Sequence, residues 1–356
     1  MQKVQERYMQ SICSSHPSED ILYHLGELKK VYTVERLTLS RKQQLMNQLK
    51  HGAFAEETFT FLMDPIHPEG VQGLIVNSLG VGFVDQSLFN ELHSAIPCQT
   101  AELEWRKGKS LDDESIDLFL AEKKFCMDQA SEKLFKAREY LDFIKQIYQA
   151  SINQEALNLL LKDIVYELFS IKDVKLQACQ GVAISYFGSN NRARYQHMFQ
   201  WSRESIQRYI ILKGFSGTGK TKILKALAVL AIAARLSVEL YRCPFYPESL
   251  DAVVIPELKT AIIDGSEPHS IEPVHPNDRH YVLEEQCVNE ETLYSFAMEL
   301  KEANMHYKKY MHDAQFFLQE AKNMHEQAEY ILNRSQRTWL DQVIEDWEKL
   351  VGDIEK

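Results

Sequence analysis

One stretch decides the fold that this sequence predicts: Ile210-Ile211-Leu212-Lys213-Gly214-Phe215-Ser216-Gly217-Thr218-Gly219-Lys220-Thr221. An apolar run that favours a strand is followed by the spacing G-x-x-x-x-G-K-T, and a helix-forming segment comes next. Glycines let the backbone curl round a phosphate chain and turn its N–H groups inward. The helix that begins here adds the positive end of its dipole. The stretch therefore predicts a site for a nucleoside triphosphate.

Each residue of this motif has an expected role. Lys220 is expected to reach the β- and γ-phosphates, and the Thr221 hydroxyl is expected to ligate Mg²⁺. No N-K-x-D motif for guanine is present, so ATP is the better interpretation and the expected cofactors are ATP and Mg²⁺. The predicted binding residues are Gly214, Phe215, Ser216, Gly217, Thr218, Gly219, Lys220 and Thr221.

The bulk composition is that of a globular protein. The 356 residues suffice for two domains, and 45 % of them are hydrophobic while 26 % are charged. A net charge of −11 argues against nucleic acid as the main partner. The six cysteines are scattered without a C-x-x-C pair, as reduced thiols are. No signal-peptide core or bilayer-length apolar stretch is present, so we expect a cytoplasmic protein with no membrane partner.

The two halves of the sequence resemble each other. Residues that recur 179 positions later (264 minus 85) are Pro65, Pro68, Glu69, Leu79 and Asp85, matched by Pro244, Pro247, Glu248, Leu258 and Asp264. A helical segment that includes Glu114 recurs 177 positions later at Glu291. Order, spacing and residue class agree, which predicts an internal duplication.

The phosphate loop is the place where the repeat fails. The candidate strand Leu37–Leu39 aligns with Ile210–Leu212 at an offset of 173, whereas Leu45 aligns with Ile223 at 178. The difference indicates that five residues, the glycine loop, are missing from the first half. The segment Ser40-Arg41-Lys42-Gln43 stands at the end of that loop, and no phosphate cradle is expected there. The first half is therefore expected to be a structural or regulatory partner of the second.

On these residues the chain resembles the duplicated, poorly characterised bacterial P-loop ATPases that are described as ATP-binding or nucleotide-kinase-like. The segments that carry the resemblance are Gly214–Thr221, Cys243-Pro244, Pro247, Ser249-Leu250-Asp251, Ile255-Pro256-Glu257-Leu258, Ile263-Asp264-Gly265 and Pro268-His269. The resemblance covers the second half well and the first half weakly. Members commonly carry a P-loop in both halves, and this sequence departs from that pattern at residues 40–43.

The predicted architecture is an α/β, P-loop NTPase-like fold of two homologous halves, each with a small, mainly parallel sheet and long helical extensions. Residues 1–175 form the degenerate half that lacks the glycine loop, and residues 176–356 form the nucleotide-binding half. In the second half we expect a long heptad helix over 290–331 and a C-terminal helix over 338–354. The heptad helix is expected to pack on the helix at 114–148; an intermolecular coiled coil is the alternative.

Other elements follow from local periodicity. Residues 1–34 are polar and mostly compatible with helix. The helix after the loop, Ile223–Ala234, is apolar almost all round and is expected to be buried on more than one side. Short runs that favour strands are Thr58–Met63, Leu74–Val76, Val81–Val84, Val182–Phe187, Ser237–Tyr241, Ala252–Ile255 and Ala261–Ile263.

Phosphoryl chemistry needs an acid beside the loop. Asp264 ends an apolar run and has the form of a Mg²⁺ ligand, although such residues often only make a turn. Asp251 and Glu257 are weaker alternatives. The predicted catalytic residues are Lys220, Asp264 and Glu267, with Glu267 or His269 as the base that activates water.

Two further sets of residues could take part in the chemistry or could be ordinary residues without a role in it. A proline-rich loop contains possible zinc ligands, which are more often ordinary polar loop residues: His269, His275, His280 and Asp278. The arginines that could stabilise a transferring phosphate, and that the sequence does not rank, are Arg203, Arg208, Arg242 and Arg279.

The sequence thus predicts a protein that binds MgATP, hydrolyses it slowly and acts as a nucleotide-dependent switch. A small-molecule or nucleotide kinase and an ATP-sensing scaffold without hydrolysis are the alternatives. The expected partners are a nucleoside triphosphate and, through the long helices, a second copy of the chain or another protein.

Overall fold

The chain folds into two compact units. A computed structural model describes residues 4–9, 11–14, 25–26, 28–34, 43–44, 47, 57–67, 70–85, 99–102, 113–169, 181–188, 205–267 and 270–335, and the structural statements below refer to these. Unit 1 combines Met1–Ala130 with Gln315–Lys356, and unit 2 is Ser131–Ala314.

Unit 1 contains six described strands. In chain order they are β1 (Val4–Tyr8), β2 (Lys30–Val34), β3 (Phe59–Met63), β4 (Val71–Val76), β5 (Val81–Asp85) and β6 (Gln99–Glu102). Helix α1 (Asp113–Ala150) begins in this unit and ends in unit 2. A core of Met9, Leu25, Val31, Leu62, Ile75 and Val84 lies against the sheet.

Unit 2 contains the remaining strands and most of the helices. Its strands are β7 (Val182–Tyr186), β8 (Arg208–Lys213), β9 (Val238–Arg242), β10 (Leu250–Ile255), β11 (Thr260–Asp264) and β12 (Arg279–Val282). Its helices are α2 (Gln154–Phe169), α3 (Lys220–Ala233), α4 (Leu283–Cys287), α5 (Glu290–Ser295) and the first part of α6 (Ala297–Ser335), with one 3-10 turn at Pro256–Leu258.

Both units have the same strand order and the same strand directions. The order is β1-β3-β4-β5-β2-β6 in unit 1 and β7-β9-β10-β11-β8-β12 in unit 2. In each unit three pairings are parallel and two are antiparallel, the latter through the central β4 or β10. The α/β class is confirmed, and the sheet is mixed because two successive hairpins bring the third to fifth strands side by side.

The strand before the loop is buried on both faces. Ile210 and Leu212 belong to one cluster, with α2 and α3, whereas Tyr209 and Ile211 belong to a second cluster on the other face. This alternation follows from the two-residue period of a strand. The loop is therefore anchored by a strand with little freedom to move.

Helix α3 is less buried than its sequence predicts. Val229, Leu230 and Ile232 are 63 %, 41 % and 42 % exposed, while Ile223, Leu224 and Leu227 are buried. The expectation that α3 is covered on more than one side is wrong for the described part of the chain, because α3 packs by one face only.

The compact units do not follow the predicted boundary at residue 175. Helix α2 precedes that boundary, yet its buried Leu157, Leu160, Ile164 and Leu168 lie in the core of unit 2 with Leu224 and Leu227. The C-terminal part of α1 also belongs to unit 2. The units differ from the predicted halves because α1 and α6 are long enough to start in one unit and end in the other.

The register of the sheet corrects the predicted loop deletion. Val81 of β5 pairs with Lys30, and Thr260 of β11, 179 positions after Val81, pairs with Arg208. The strand before the loop thus has an offset of 178 (208 minus 30), the same as the helix after it. No residues are missing; the aligned sequence simply lacks glycines, with Arg36, Leu39 and Arg41 in their places and Lys42 at the position of Lys220.

This error came from placing the strand at Leu37–Leu39, which lies outside the described residues. The strand is Lys30–Val34 instead, and the described part of residues 1–34 contains two strands, β1 and β2, where the sequence was read as mostly compatible with helix. β6 and β12 were also missed. The predicted C-terminal helix over 338–354 lies outside the described residues.

The predicted packing of the two long helices is confirmed within unit 2. Ile144 and Tyr148 of α1 cluster with Ala303 of α6, and the Tyr140 ring stacks on His306 at 4.8 Å and on Tyr310 at 5.8 Å. Sequence numbers rise on one helix as they fall on the other, so the pair is antiparallel.

In the described part of the chain, no helix combines the length and apolarity that crossing a bilayer requires.

Asp64 is a structural acid of unit 1 and gives a test of this fold. It is buried, and its carboxylate accepts hydrogen bonds from Ile66 N–H at 2.7 Å, His67 N–H at 2.9 Å and the Gln72 amide at 3.0 Å. Burial alone raises the pKa of Asp64, but the hydrogen bonds and the charge of His67 outweigh it and hold the pKa well below the usual value of 3.8.

Replacing this acid should destabilise unit 1. We expect Asp64→Ala to lower the free energy of unfolding by about 3 kcal/mol at pH 7, because buried N–H groups lose their acceptor. Since the folded pKa is depressed, the contribution is complete above the usual aspartate pKa and is lost as the pH falls below it. Urea denaturation at several pH values measures both effects. The exposed Asp128→Ala is the control; an equal loss in both variants would contradict the assignment.

Candidate functional site

The glycine loop joins β8 to α3 at the carboxyl edge of the unit 2 sheet. Gly214, Gly217 and Gly219 have φ angles of 144°, 100° and 105°, a region that a residue with a Cβ disfavours. Gly219 is the N-cap of α3, whose first residue is Lys220. Loops of this kind, with a helix N-terminus behind them, form concavities that bind anions.

Two of the glycines are also required by close packing. A Cβ on Gly217 would lie 2.7 Å from the carbonyl oxygen of Lys145 in α1, and a Cβ on Gly219 would lie 2.9 Å from Cδ2 of Leu157 in α2. Interiors are packed too densely to admit the extra atom without a shift. The loop is thus walled by two helices that come much earlier in the sequence.

Lys220 lies inside the loop. It is 7 % exposed, and its Nζ donates to the carbonyl oxygens of Gly214 and of Phe215, the latter at 3.0 Å. The same Nζ lies 3.5 Å from Oδ2 of Asp264. Two carbonyls and a carboxylate offset the cost of burying this cation. A phosphate that enters the loop would replace these two carbonyl oxygens as the hydrogen-bond acceptor of the Lys220 amine.

Asp264 reaches Lys220 because β11 pairs with β8 in parallel, with Asp264 opposite Leu212. Its Oδ1 accepts a hydrogen bond from Ser266 N–H at 3.0 Å, which makes a turn, and its Oδ2 faces Lys220. The geometry therefore agrees with both interpretations of Asp264: the residue makes a turn, and it places a negative charge beside the lysine of the loop.

The hydroxyl of Ser266 was not predicted to take part. It accepts a hydrogen bond from Gly214 N–H at 3.1 Å and is 2.8 Å from Gly214 O, so it fixes the first residue of the loop. Within the loop, the buried Thr218 hydroxyl donates to Phe215 O at 2.9 Å. Thr221 is half-buried in the first turn of α3, next to Lys220. Ser266 carries no signal in the sequence, since serine is common in turns.

Glu284 is a second unpredicted residue of the site. It lies in α4, just after β12, and is half-buried. Burial raises the pKa of Glu284, against the lowering effect of the Phe215 N–H and the Lys220 charge. The Tyr148 ring also stacks on Phe215, with 5.4 Å between centroids.

Several predicted residues do not join the site. Glu267 is exposed and, among the described residues, has no ion pair or hydrogen bond with the loop. His269 lies outside the described residues. Asp251 lies beside Cys243: burial of the Cys243 thiol raises its pKa, and the charge of Asp251 raises it further. Glu257 accepts from Ser237 N–H at 2.9 Å, which is a structural role.

Most of the histidine and arginine candidates are placed elsewhere where the structure describes them; Arg242 differs, because it ends β9, which runs in the same direction as β8 and so ends at the edge that carries the loop. Asp278 accepts hydrogen bonds from Tyr209, Val274 and His275 N–H at 2.9 to 3.1 Å. Within the described ranges no three His, Cys, Asp or Glu side chains form a metal-ligand set. Arg208 and Arg279 begin β8 and β12, at the edge opposite the loop, and both contact Glu167, at 3.4 and 3.8 Å. Arg203 lies outside the described residues.

The close packing of the loop gives a second test. Gly181 has φ of 95°, like Gly217, but nothing lies within 4 Å of the Cβ position. We expect Gly181→Ala to cost about 1 kcal/mol of stability, through backbone strain alone. Gly217→Ala should cost roughly 1–3 kcal/mol more, because its methyl group meets α1. Denaturant unfolding of both variants measures the difference, and equal losses would mean that α1 does not wall the loop.

The assignment of this site depends on its geometry alone. The sequence matches no protein-family model, no curated protein matches it, and no solved structure does. What the geometry supports is an α/β unit with an anion cradle, a buried lysine and a carboxylate at the carboxyl edge of its sheet.

Proposed function

We propose that unit 2 binds MgATP on the loop Gly214–Thr221 and hydrolyses it slowly. The observation that carries the proposal is the position of Lys220: its buried amine lies in the glycine loop, 3.5 Å from the carboxylate of Asp264. A lysine and an acid beside a helix N-terminus fit the charge of a triphosphate with its metal ion.

Each residue of the proposed site would have a separate role in binding MgATP. The loop N–H groups would bind the phosphate oxygens, and Lys220 would leave its carbonyl partners for the β- and γ-phosphates. Thr221 and Asp264 would hold Mg²⁺, which neutralises phosphate charge when bound. Hydrolysis is expected to be slow because Arg208 and Arg279 begin their strands, at the sheet edge opposite the loop, and Arg242 ends β9, three strands away from β8.

The role as a switch rests on what the loop touches. Gly217 packs on α1 and the Phe215 ring stacks on Tyr148 of the same helix, while Tyr148 packs with Ala303 of α6. Occupation of the loop and loss of the γ-phosphate would therefore act directly on the two long helices. Switching proteins use this kind of coupling between a phosphate site and a movable element.

We also propose that the chain is a duplicated P-loop protein whose first half is degenerate, related to the ATPases that it resembles. The identical strand order of the two units supports this. So does an exchanged polar pair: Asp64 with Gln72 in unit 1 and Cys243 with Asp251 in unit 2 lie at positions 179 apart. The acid comes just after β3 in unit 1 and lies on β10 in unit 2, and the residue beside it takes the other position in each unit.

Nucleotide binding and phosphate release test the function. We expect wild type to bind MgATP and release phosphate, Lys220→Ala to lose both, and Asp264→Asn to bind but turn over at least tenfold more slowly. Lys222→Ala, an exposed neighbour that contacts Gln154, should behave as wild type. Binding by Lys220→Ala equal to that of wild type would overturn the proposal. Phosphate transfer to an added metabolite would favour a kinase, and binding without turnover a sensing scaffold.

The switch has its own measurement. MgATP should slow amide hydrogen exchange over residues 140–150 of α1 in wild type but not in Lys220→Ala. The reason is that nucleotide bound in the loop reduces local opening of the helix that packs on the loop. Peptides from the β4–β5 hairpin of unit 1 serve as the internal reference. Protection limited to residues 214–221 would show that the loop binds nucleotide without acting on α1.

A further inference from the structure

Each of the two carbonyls that hold the Lys220 amine also accepts a hydrogen bond from a hydroxyl. The carbonyl oxygen of Gly214 accepts from Lys220 Nζ and from the Ser266 hydroxyl, the latter at 2.8 Å. The carbonyl oxygen of Phe215 accepts from Lys220 Nζ at 3.0 Å and from the Thr218 hydroxyl at 2.9 Å. A carbonyl oxygen has two lone pairs, so it can accept both bonds at once. Neither oxygen therefore depends on the lysine alone.

The two hydroxyls are held in place by contacts that do not involve the lysine. The N–H of Ser266 donates to Asp264 Oδ1 at 3.0 Å, and its hydroxyl accepts from Gly214 N–H at 3.1 Å. Thr218 is fully buried, and its own N–H donates to the carbonyl oxygen of Phe215 at 3.3 Å. Both hydroxyls can therefore stay beside their carbonyls when the amine moves.

A phosphate chain in the loop competes with these carbonyls for the amine. When Lys220 turns to phosphate oxygens, the carbonyls of Gly214 and Phe215 each lose one donor. A buried carbonyl that is left without any donor costs about as much free energy as a lost hydrogen bond. A second donor that is already in place removes this cost, and the amine is then easier to transfer to the ligand.

We infer that the hydroxyls of Ser266 and Thr218 position Lys220 for nucleotide: they keep the two loop carbonyls hydrogen-bonded after the amine has left them for the phosphates. This role rests on the proposed binding of MgATP and concerns the affinity of that site. The amine makes the exchange when the nucleotide binds, before any bond to phosphorus breaks. The hydroxyls should consequently affect the affinity for MgATP and not the rate of phosphate release at saturation.

The two hydroxyls should not be equally important. In the described part of the chain, Lys220 and Ser266 are the donors to the carbonyl oxygen of Gly214. The carbonyl oxygen of Phe215 keeps the Thr218 N–H even when the Thr218 hydroxyl is removed. Loss of the Ser266 hydroxyl should therefore weaken binding more than loss of the Thr218 hydroxyl.

The first measurement is MgATP binding and phosphate release at saturating MgATP. Ser266→Ala should raise the Kd about tenfold, and Thr218→Val, which keeps the shape of the side chain, about threefold. Phosphate release at saturation should stay within about twofold of wild type in both, as expected when only binding is weakened. Ser266→Thr retains a hydroxyl and should restore most of the affinity. The control is Ser270→Ala, an exposed neighbour, which should match wild type.

The second measurement needs no nucleotide and has a readout that a serine with a structural role alone would not move. Lys220→Ala and Ser266→Ala each leave the carbonyl oxygen of Gly214 with one donor, whereas the double variant leaves it with none. Denaturant unfolding should therefore show a greater loss of stability in the double variant than the sum of the two single losses. A serine that only supports the N–H of Gly214 gives additive losses.

Several results would overturn the inference while the proposed function stands. They are a wild-type Kd in Ser266→Ala, a fall in its phosphate release at saturation as large as its fall in affinity, no recovery of affinity in Ser266→Thr, and additive losses of stability. If Ser266→Ala does not fold, a wild-type Kd in Thr218→Val overturns it. Wild type that binds no MgATP, and so behaves as Lys220→Ala does, overturns the proposed function and this inference together.

Discussion

The left-handed backbone of Gly214, Gly217 and Gly219 is the constraint on which the rest of the site depends. It opens the loop into a cradle, and at two of the three positions it also lets a helix approach more closely than any side chain allows. The anion-binding shape and the packing of α1 and α2 are therefore one requirement. A change that fills a glycine position harms both at once, since the same missing Cβ serves the ligand and the core.

The hydrogen bonds of the buried Lys220 amine leave it available to bind a ligand. Lys220 rests on loop carbonyls rather than in a close pair with a carboxylate, and Asp264 stays 3.5 Å away. Neutral carbonyls satisfy the hydrogen bonds of the amine without cancelling its charge. The amine can therefore exchange these neutral acceptors for the oxygens of an anion. Asp264, the acid beside this amine, is oriented by the backbone N–H of Ser266, which holds the carboxylate in place.

Local patterns predicted much of unit 2, because its strands are apolar runs and its loop has a fixed spacing. Asp264 could be found for that reason, as it directly ends such a run. Glu284 could not: β12 reads Arg-His-Tyr-Val, which is largely exposed, and its place beside β8 comes from pairing between distant segments. β1 was missed because charged and polar residues separate its two apolar ends. β2 consists mainly of residues that favour strands, and it was missed because its neighbours in the sequence are polar.

The same limit explains the misplaced loop boundary in the first half. Leu37–Leu39 has the composition of a strand, and only the pairing of Lys30 with Val81 reveals that the strand lies earlier. Sequence also assigns α2 to the half in which it occurs, although Leu157 and Leu160 complete the core of unit 2. Which core a helix enters depends on the length and direction of the helix before it, and periodicity does not encode that choice.

The contact of Gly217 with the Lys145 carbonyl has a consequence for how this gene can change. The wall of the loop is encoded in the first half of the sequence, so a gene fission between the halves would leave the second half with an exposed loop and an unfilled core. A change in α1 near Lys145 therefore acts on the loop of unit 2 through packing, although the two segments are far apart in the sequence.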